Sequence, residues 1–271
     1  MLDAKELERT ARRLVGEVAG YLRDIHGAKG LDEVLGRGAS GDTTRRADRL
    51  AEDFLIDLVK AEGLDVLIVS EEKGIVRISD SPDLILLTDP LDGSLNYVLG
   101  IPVAAVSVVF YSIDKPYLSQ ALSGAVANVF VREIYSFDEE NVYVNGMVMH
   151  ERRELESGIA TVYTNDPSLF VVVERYLHGR YRLGSRIRVL GSAALESTYA
   201  AIGRFSLFIH NTGKLRNLDI ACGYAIAKRF GLPVIDVEGN EIDGRTDGIS
   251  RLGSMLIGGK EILDFPKFLR K

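Results

Sequence analysis

Two carboxylates three residues apart stand in the stretch Asp89-Pro90-Leu91-Asp92-Gly93-Ser94-Leu95-Asn96, directly after the apolar run Leu84-Ile85-Leu86-Leu87. An apolar strand that ends this way delivers hard oxygen ligands to one point, which suits Mg²⁺ or Mn²⁺. A short helix starting at Gly93 and Ser94 would add backbone N–H groups for a phosphate. A second acidic pair, Glu71-Glu72, closes another apolar run at 66–69 and is followed by Gly74. A third acid, Asp219, precedes the small-residue run Ile220-Ala221-Cys222-Gly223-Tyr224-Ala225. Each has a plainer explanation: turn chemistry for Asp89 and Asp92, a solvated strand end for Glu71-Glu72, a helix cap worth about 1 kcal/mol for Asp219. Two strand ends carrying acids toward one edge nevertheless imply a multi-metal phosphate site.

Positioning these acids needs a scaffold, and the apolar periodicity supplies one. Residues 3–26 read as an amphipathic helix opened by an Asp3/Glu6 capping box. A second helix is expected at 43–62, stopped by Gly63. Between them lies the glycine-rich loop Gly36-Arg37-Gly38-Ala39-Ser40-Gly41-Asp42, expected to be mobile. Strands are expected at 64–69, 74–78, 83–88, 103–112, 118–126, 129–137 and 142–144, with an Asn145-Gly146 turn. Their short connections favour an antiparallel sheet. Later the pattern alternates: strands at 159–163, 186–190, 204–209 and 233–236, helices at 167–178, 193–202 and 218–230. This implies a second sheet covered by helices, and two fused halves, 1–150 and 151–271.

Composition narrows the class. The chain has 271 residues, 46% apolar and 27% charged, with a net charge of −6. That is ordinary for a globular protein, unfavourable for a nucleic-acid binder, and too ordinary to argue thermophily. The single cysteine, Cys222, excludes an intrachain disulfide framework. The start, Met1-Leu2-Asp3-Ala4-Lys5-Glu6, lacks leader character, and no run is long enough to span a bilayer, so the expectation is a cytoplasmic protein without membrane contact.

Taken in order, these motifs resemble the inositol monophosphatase and fructose-1,6-bisphosphatase superfamily of Mg²⁺-dependent, lithium-sensitive phosphatases. The matching pieces are Thr44-Arg45-Arg46-Ala47-Asp48 through Glu52, Ser70-Glu71-Glu72, Thr88 through Asn96, Gly191-Ser192-Ala193-Ala194-Leu195, and Leu218-Asp219-Ile220-Ala221. The Leu-Arg-x-x-Asp approach to Asp219 is most similar to the archaeal-type dual-activity enzymes. The resemblance implies a layered αβαβα sandwich, an α+β or α/β arrangement with two sheets and helices between and outside. It also implies a homodimer, for which the apolar residues 103–109 are a candidate surface.

By that resemblance, Glu71, Asp89, the Leu91 carbonyl, Asp92 and Asp219 ligate two to three Mg²⁺ ions, with Mn²⁺ as a substitute. Asp42 in the glycine loop, or Ser40 beside it, would serve a third ion. Glu71 and the Ser94 hydroxyl, itself held by Asp48, would activate the attacking water. Without the resemblance, Asp48 and Glu52 read as a solvated helix face. Gly93 and Ser94 would bind the phosphate, and Gly191, Ser192 and Ala193 the substrate hydroxyls, although Ser192 is equally good as an N-cap. Inositol-specific members carry a Glu seven residues before the last metal acid. Here that position is Thr212, which argues for broad or dual activity on fructose-1,6-bisphosphate and inositol-1-phosphate. Lys214 and Arg216, or Arg186 and Arg188, are placed to meet a second phosphate. The alternatives are a 3′-phosphoadenosine nucleotide phosphatase and a non-catalytic metal- or phosphate-binding relative. A haloacid-dehalogenase-type phosphatase is disfavoured, because Asp89 and Asp92 have two residues between them rather than one.

Overall fold

A computed structural model describes residues 3–153 and 156–269. Met1 and Leu2, read above for leader character, lie outside the described residues. The chain begins with α1 (Ala4–Ile25), then β1 (Val34–Arg37), β2 (Thr43–Arg45) and α2 (Arg46–Ala61). The first large sheet takes β3 (Val66–Ser70), β4 (Gly74–Arg77) and β5 (Leu84–Asp92). After α3 (Ser94–Leu99) it continues through β6 (Ala105–Ser112), β7 (Ala121–Asn128), β8 (Glu133–Phe137), β9 (Val142–Val144) and β10 (Met147–Val148). The second half runs β11 (Gly158–Thr164), α4 (Ser168–Leu177), β12 (Ser185–Arg188), α5 (Ala193–Ala201) and β13 (Leu207–Arg216). It ends with α6 (Asn217–Arg229), β14 (Val234–Ile235), β15 (Arg251–Gly258) and α7 (Phe265–Leu269).

The sheet of eight strands has the order β10-β9-β8-β7-β6-β5-β3-β4, and the sheet of five the order β12-β11-β13-β15-β14. Both faces of the larger sheet are covered, which explains its continuous apolar runs. Val66, Ile68, Leu84 and Leu86 face α1 and α2, while Leu67, Val69, Ile85 and Leu87 face the layer of α5 and α6. The smaller sheet packs its other side on α4 and α7. The expected αβαβα sandwich is therefore the fold. One core cluster crosses residue 150, joining the larger sheet to α5, α6 and the smaller sheet.

Helix α6, held between two sheets, is buried from Asn217 to Ala227, with the sole cysteine, Cys222, fully enclosed. Its small residues permit a close approach. A Cβ at Gly223 would overlap the Ser197 side chain and come within 2.8 Å of the Ser197 main-chain carbon on α5.

Several expectations need correction. The first sheet is not wholly antiparallel, because β3 and β5 pair in parallel with β4 flanking them as an edge strand. Residues 43–45 form β2 rather than a helix start; α2 begins at Arg46, and β1 pairs with β2 across the glycine loop. That loop is tied down, with Ala39 N donating to Glu72 O at 2.9 Å and Ser40 N to Glu71 O at 3.0 Å. Strand β15 was not expected, yet it pairs with both β13 and β14. Residues 104–106 and 108–110 are fully buried in the core, so beyond the half-buried Val103 the 103–109 run offers no surface to a second subunit.

Candidate active site

The parallel pairing of β3 and β5 places Ser70 opposite Thr88, so Glu71-Glu72 and Asp89 emerge at the same sheet edge. Past Asp89 the β5–β6 register shifts before Asp92 meets Ala105, and this irregularity turns the chain at Pro90-Leu91. Asp89 folds its carboxylate back to accept from Leu91 N at 3.1 Å. Gly93 follows in the left-handed region, φ 83°, and starts α3. A Cβ on Gly93 would sit 3.0 Å from the Gly191 carbonyl and 3.1 Å from that of Val103. Only glycine fits this junction, which draws the acidic turn against the segment before α5.

Asp219, at the first turn of α6, enters from the second half of the chain. Between it and Glu71 lies the Arg216 guanidinium, 2.5 Å from Glu71 Oε1 and 2.7 Å from Asp219 Oδ1. A third oxygen, from the largely exposed Asp42, lies 3.1 Å from the same guanidinium, and Ser40 Oγ donates to Glu71 at 3.3 Å. Arg216 thus sits among the acids, a placement the sequence did not indicate. Asp89 is 2% exposed, and burial, reinforced by Glu71 and Asp92, raises its pKa well above the carboxylate range. Burial likewise raises Asp92, and it pushes Asp219 up to about 6 against the opposing pull of Arg216. For Arg216, Asp219 and Glu71 outweigh burial and raise the guanidinium pKa.

Behind these acids lies a second acidic layer. Asp48 and Glu52, which would be solvated on an ordinary helix face, are both buried. Burial lifts Asp48 to about 6, with Glu71 adding to the rise, while the Arg45 N–H at 2.6 Å and the Ser94 hydroxyl draw it down. Ser94 therefore lies near Asp48. Glu72 is buried too, accepts from Thr44 Oγ1, and is pushed by burial to about 7.

Leu91, Asp92, Gly93 and Ser94 line a cleft of about 330 Å³ with Glu71, Asp89 and Asp42. Ser192 Oγ donates to Asp92 Oδ2 at 2.5 Å, so this hydroxyl serves Asp92 and does not cap α5. Ala194 N donates to the same oxygen at 2.9 Å, and Gly191 abuts Asn96. The Gly191-Ser192-Ala193 segment thus meets the acidic turn directly. Lys214 is exposed and lines a neighbouring, mainly basic cavity with Arg37, Arg216, Arg251 and Asp42. Arg186 and Arg188 are on β12, an edge strand of the smaller sheet.

Hard carboxylate oxygens gathered around one cation, with pKa values raised by burial and by one another, fit a site for divalent ions. Among the described residues, however, no three acids, histidines or cysteines are arranged as a ready metal cage. Arg216 occupies the space between Glu71 and Asp219, and Ser192 and Ala194 engage Asp92. The sequence motifs located the acids but not this internal counter-cation.

Comparison with known proteins agrees with the geometry. The model of the inositol monophosphatase family matches residues 3–253. An inositol-1-monophosphatase of Aeropyrum pernix is 35% identical, over 97% of this chain and 96% of its own length. A fructose-1,6-bisphosphatase/inositol-1-monophosphatase of Archaeoglobus fulgidus is 34% identical over 88% and 89%. Among solved structures, an IMPase of Thermotoga maritima superposes with a TM-score of 0.75 at 25% identity, covering 97% of this chain and 96% of that one.

Proposed function

Because the chain belongs to the inositol monophosphatase family, a family of metal-dependent phosphatases, we propose that it hydrolyses phosphate monoesters of a sugar or of inositol in the cleft around Asp92, with Mg²⁺ as the ion. The observation that carries this is the meeting of Glu71 and Asp219, 148 residues apart in sequence, on one guanidinium beside Asp89 and Asp92.

Glu71, Asp89, the Leu91 carbonyl, Asp92 and Asp219 would hold two ions, with Asp42 or Ser40 contributing to a third. Bound ions supply the positive charge that lets a phosphate dianion approach these acids and that acidifies the attacking water. The chain's own groups do the rest. Gly93 and Ser94 orient the phosphate by backbone N–H groups. Glu71 takes the proton of the attacking water, and the Ser94 hydroxyl, held by Asp48, orients that water. Attack on phosphorus breaks the ester P–O bond and releases the alcohol and inorganic phosphate, with no covalent enzyme intermediate. Gly191, Ser192 and Ala193 contact the substrate's hydroxyl groups.

The basic cavity adjoining the cleft favours a substrate with two phosphates. Arg37, Lys214 and Arg251 line it, and Arg216, Asp42 and Thr43 border both spaces. Once ions neutralise Glu71 and Asp219, Arg216 is free to turn toward a second phosphate. Exposed Leu95, Leu99 and Ile101, on or just after α3, together with Val189, support a homodimer at that face. Among the described residues, no helix is long and apolar enough to cross a membrane.

A phosphate-release screen with Mg²⁺, Mn²⁺ or chelator, repeated with Li⁺, tests the proposal. Turnover of fructose-1,6-bisphosphate or inositol-1-phosphate, lost on chelation and inhibited by Li⁺, is the expected result. Failure on both with turnover of a 3′-phosphoadenosine nucleotide would move the enzyme to that branch. No turnover of any phosphomonoester would make it a non-catalytic relative.

A further inference from the structure

Glu196 is a fully buried carboxylate on α5 with no basic residue among its hydrogen-bond partners and no place in the chemistry above. Its two oxygens are instead surrounded by neutral donors. Oε1 accepts from Thr161 Oγ1 and from Leu190 N at 2.9 Å. Oε2 accepts from Tyr163 OH, from Gly191 N at 3.1 Å and from Ser192 N at 3.3 Å. Tyr163 also accepts from Gly191 N at 3.1 Å, and its ring is stacked on His210 with centroids 5.1 Å apart.

The consequence lies one residue away. Three consecutive backbone N–H groups, Leu190 to Ser192, are satisfied by a side chain reaching back from within α5. Ser192 holds the N-cap position, yet its hydroxyl makes no capping bond. It is free to donate to Asp92, and Ala194 N at the open helix end joins it on the same oxygen. A buried carboxylate is costly unless fully hydrogen-bonded, and five donors on one group fix its position closely.

We propose that Glu196 is a positioning residue for Asp92. By bonding the N–H groups of Leu190, Gly191 and Ser192 it fixes the segment that enters α5, aims Ser192 Oγ and Ala194 N at the Asp92 carboxylate and holds one face of the metal site in place. This rests on the reading of Asp92 as a metal ligand. Partners that orient a ligand carboxylate from behind typically change metal affinity by about 10- to 100-fold when removed.

The test uses Mn²⁺ alone as the probe, titrated by calorimetry into the metal-free protein, with amide exchange followed in the same protein. Glu196→Gln replaces one acceptor oxygen with an amide donor that opposes the N–H groups. It is expected to weaken Mn²⁺ binding about 10-fold or more and to speed exchange at Gly191, Ser192 and Ala194. Adding Ser192→Ala to it should weaken binding by less than the two single effects combined, since both act through one link. A Glu196→Gln protein that melts lower but binds Mn²⁺ like wild type would reduce Glu196 to packing and overturn the proposal. Should Glu196→Gln fail to fold, Tyr163→Phe removes a single donor from the same carboxylate. It must weaken Mn²⁺ binding in the same direction, and unchanged binding overturns the proposal. Asp92→Asn is the independent control. If it binds Mn²⁺ like wild type, the ligand reading itself fails and takes the inference with it.

Discussion

Arg216 and Glu71, 145 residues apart in the chain, form an ion pair of 2.5 Å in the middle of the acidic cluster. The guanidinium also binds Asp219 on the adjoining helix turn, so one cation stands where the family reading places divalent ions.

Arg216→Met should therefore destabilise the metal-free protein. Removing one partner of a half-buried ion pair strands the other charges, at a cost of up to about 3 kcal/mol. The lowering of Tm should shrink in saturating Mg²⁺, because the ions then supply the missing charge. A Tm gap unaffected by Mg²⁺ would mean that Arg216 and the ions do not share this space.

The pH dependence of the metal-free protein follows from the raised carboxylates. Asp48, Glu72, Asp89, Asp92 and Asp219 all hold protons more tightly folded than unfolded. Their stabilising contribution is full below the unfolded value near 4 and is lost as pH rises through about 6 to 7. His210, which burial lowers to about 4, acts in the opposite sense over the same window, as do Glu133, Asp138, Asp236 and Asp247 near its acid end, where hydrogen-bond partners lower them; above about pH 5 it is one group against five. Metal-free Tm should accordingly fall between pH 4 and 7. Excess Mg²⁺ should reverse that slope, since binding requires the ionised acids. Differential scanning at several pH values, with and without Mg²⁺, reads both signs.

Asp92→Asn should reduce kcat by at least about 10²- to 10³-fold, the scale expected for a preorganised charged group. The metal-free protein should stay folded, because a crowded like-charge cluster loses one repulsive member. Near-wild-type turnover in this variant would remove Asp92 from the mechanism.

Ser94→Ala should lower kcat by roughly 10²-fold with little change in KM, since the hydroxyl orients the water and does not bind the ester. An effect confined to KM would assign Ser94 to phosphate binding alone.

Gly223→Ala tests the helix layer between the sheets. The added methyl would meet Ser197 on α5, and overpacking of this kind costs about 1–3 kcal/mol. A variant as stable as wild type in denaturant titration would show that the two helices can separate without loss.

The acids around Asp89 were legible because their signal is local: an apolar run, two carboxylates, then Gly-Ser. The αβαβα layering came through the resemblance those motifs carry, and runs such as 84–87, covered on both faces, agree with it. The parallel β3–β5 pair was not, because the edge strand β4 lies between them in sequence and mimics a simple hairpin series. The place of Arg216 among the acids was not legible because its main partners are an acid 145 residues earlier and one three residues later. Only the second spacing is visible in a sequence. Glu196 escaped because helix periodicity treats a lone acid as solvent-facing, whereas α5 is buried almost all round. Its signal, a charged residue within a helix that has no polar face, could have been noticed.

Cys222, sealed inside α6, has one practical result. Burial pushes its thiol pKa up and keeps reagents away, so the native surface presents no reactive sulfur. A cysteine introduced at exposed Ala39, in the β1–β2 hairpin, would be the only position a maleimide dye could label. The molecule is thus ready-made for a fluorescent reporter of how that hairpin responds when ions and substrate arrive.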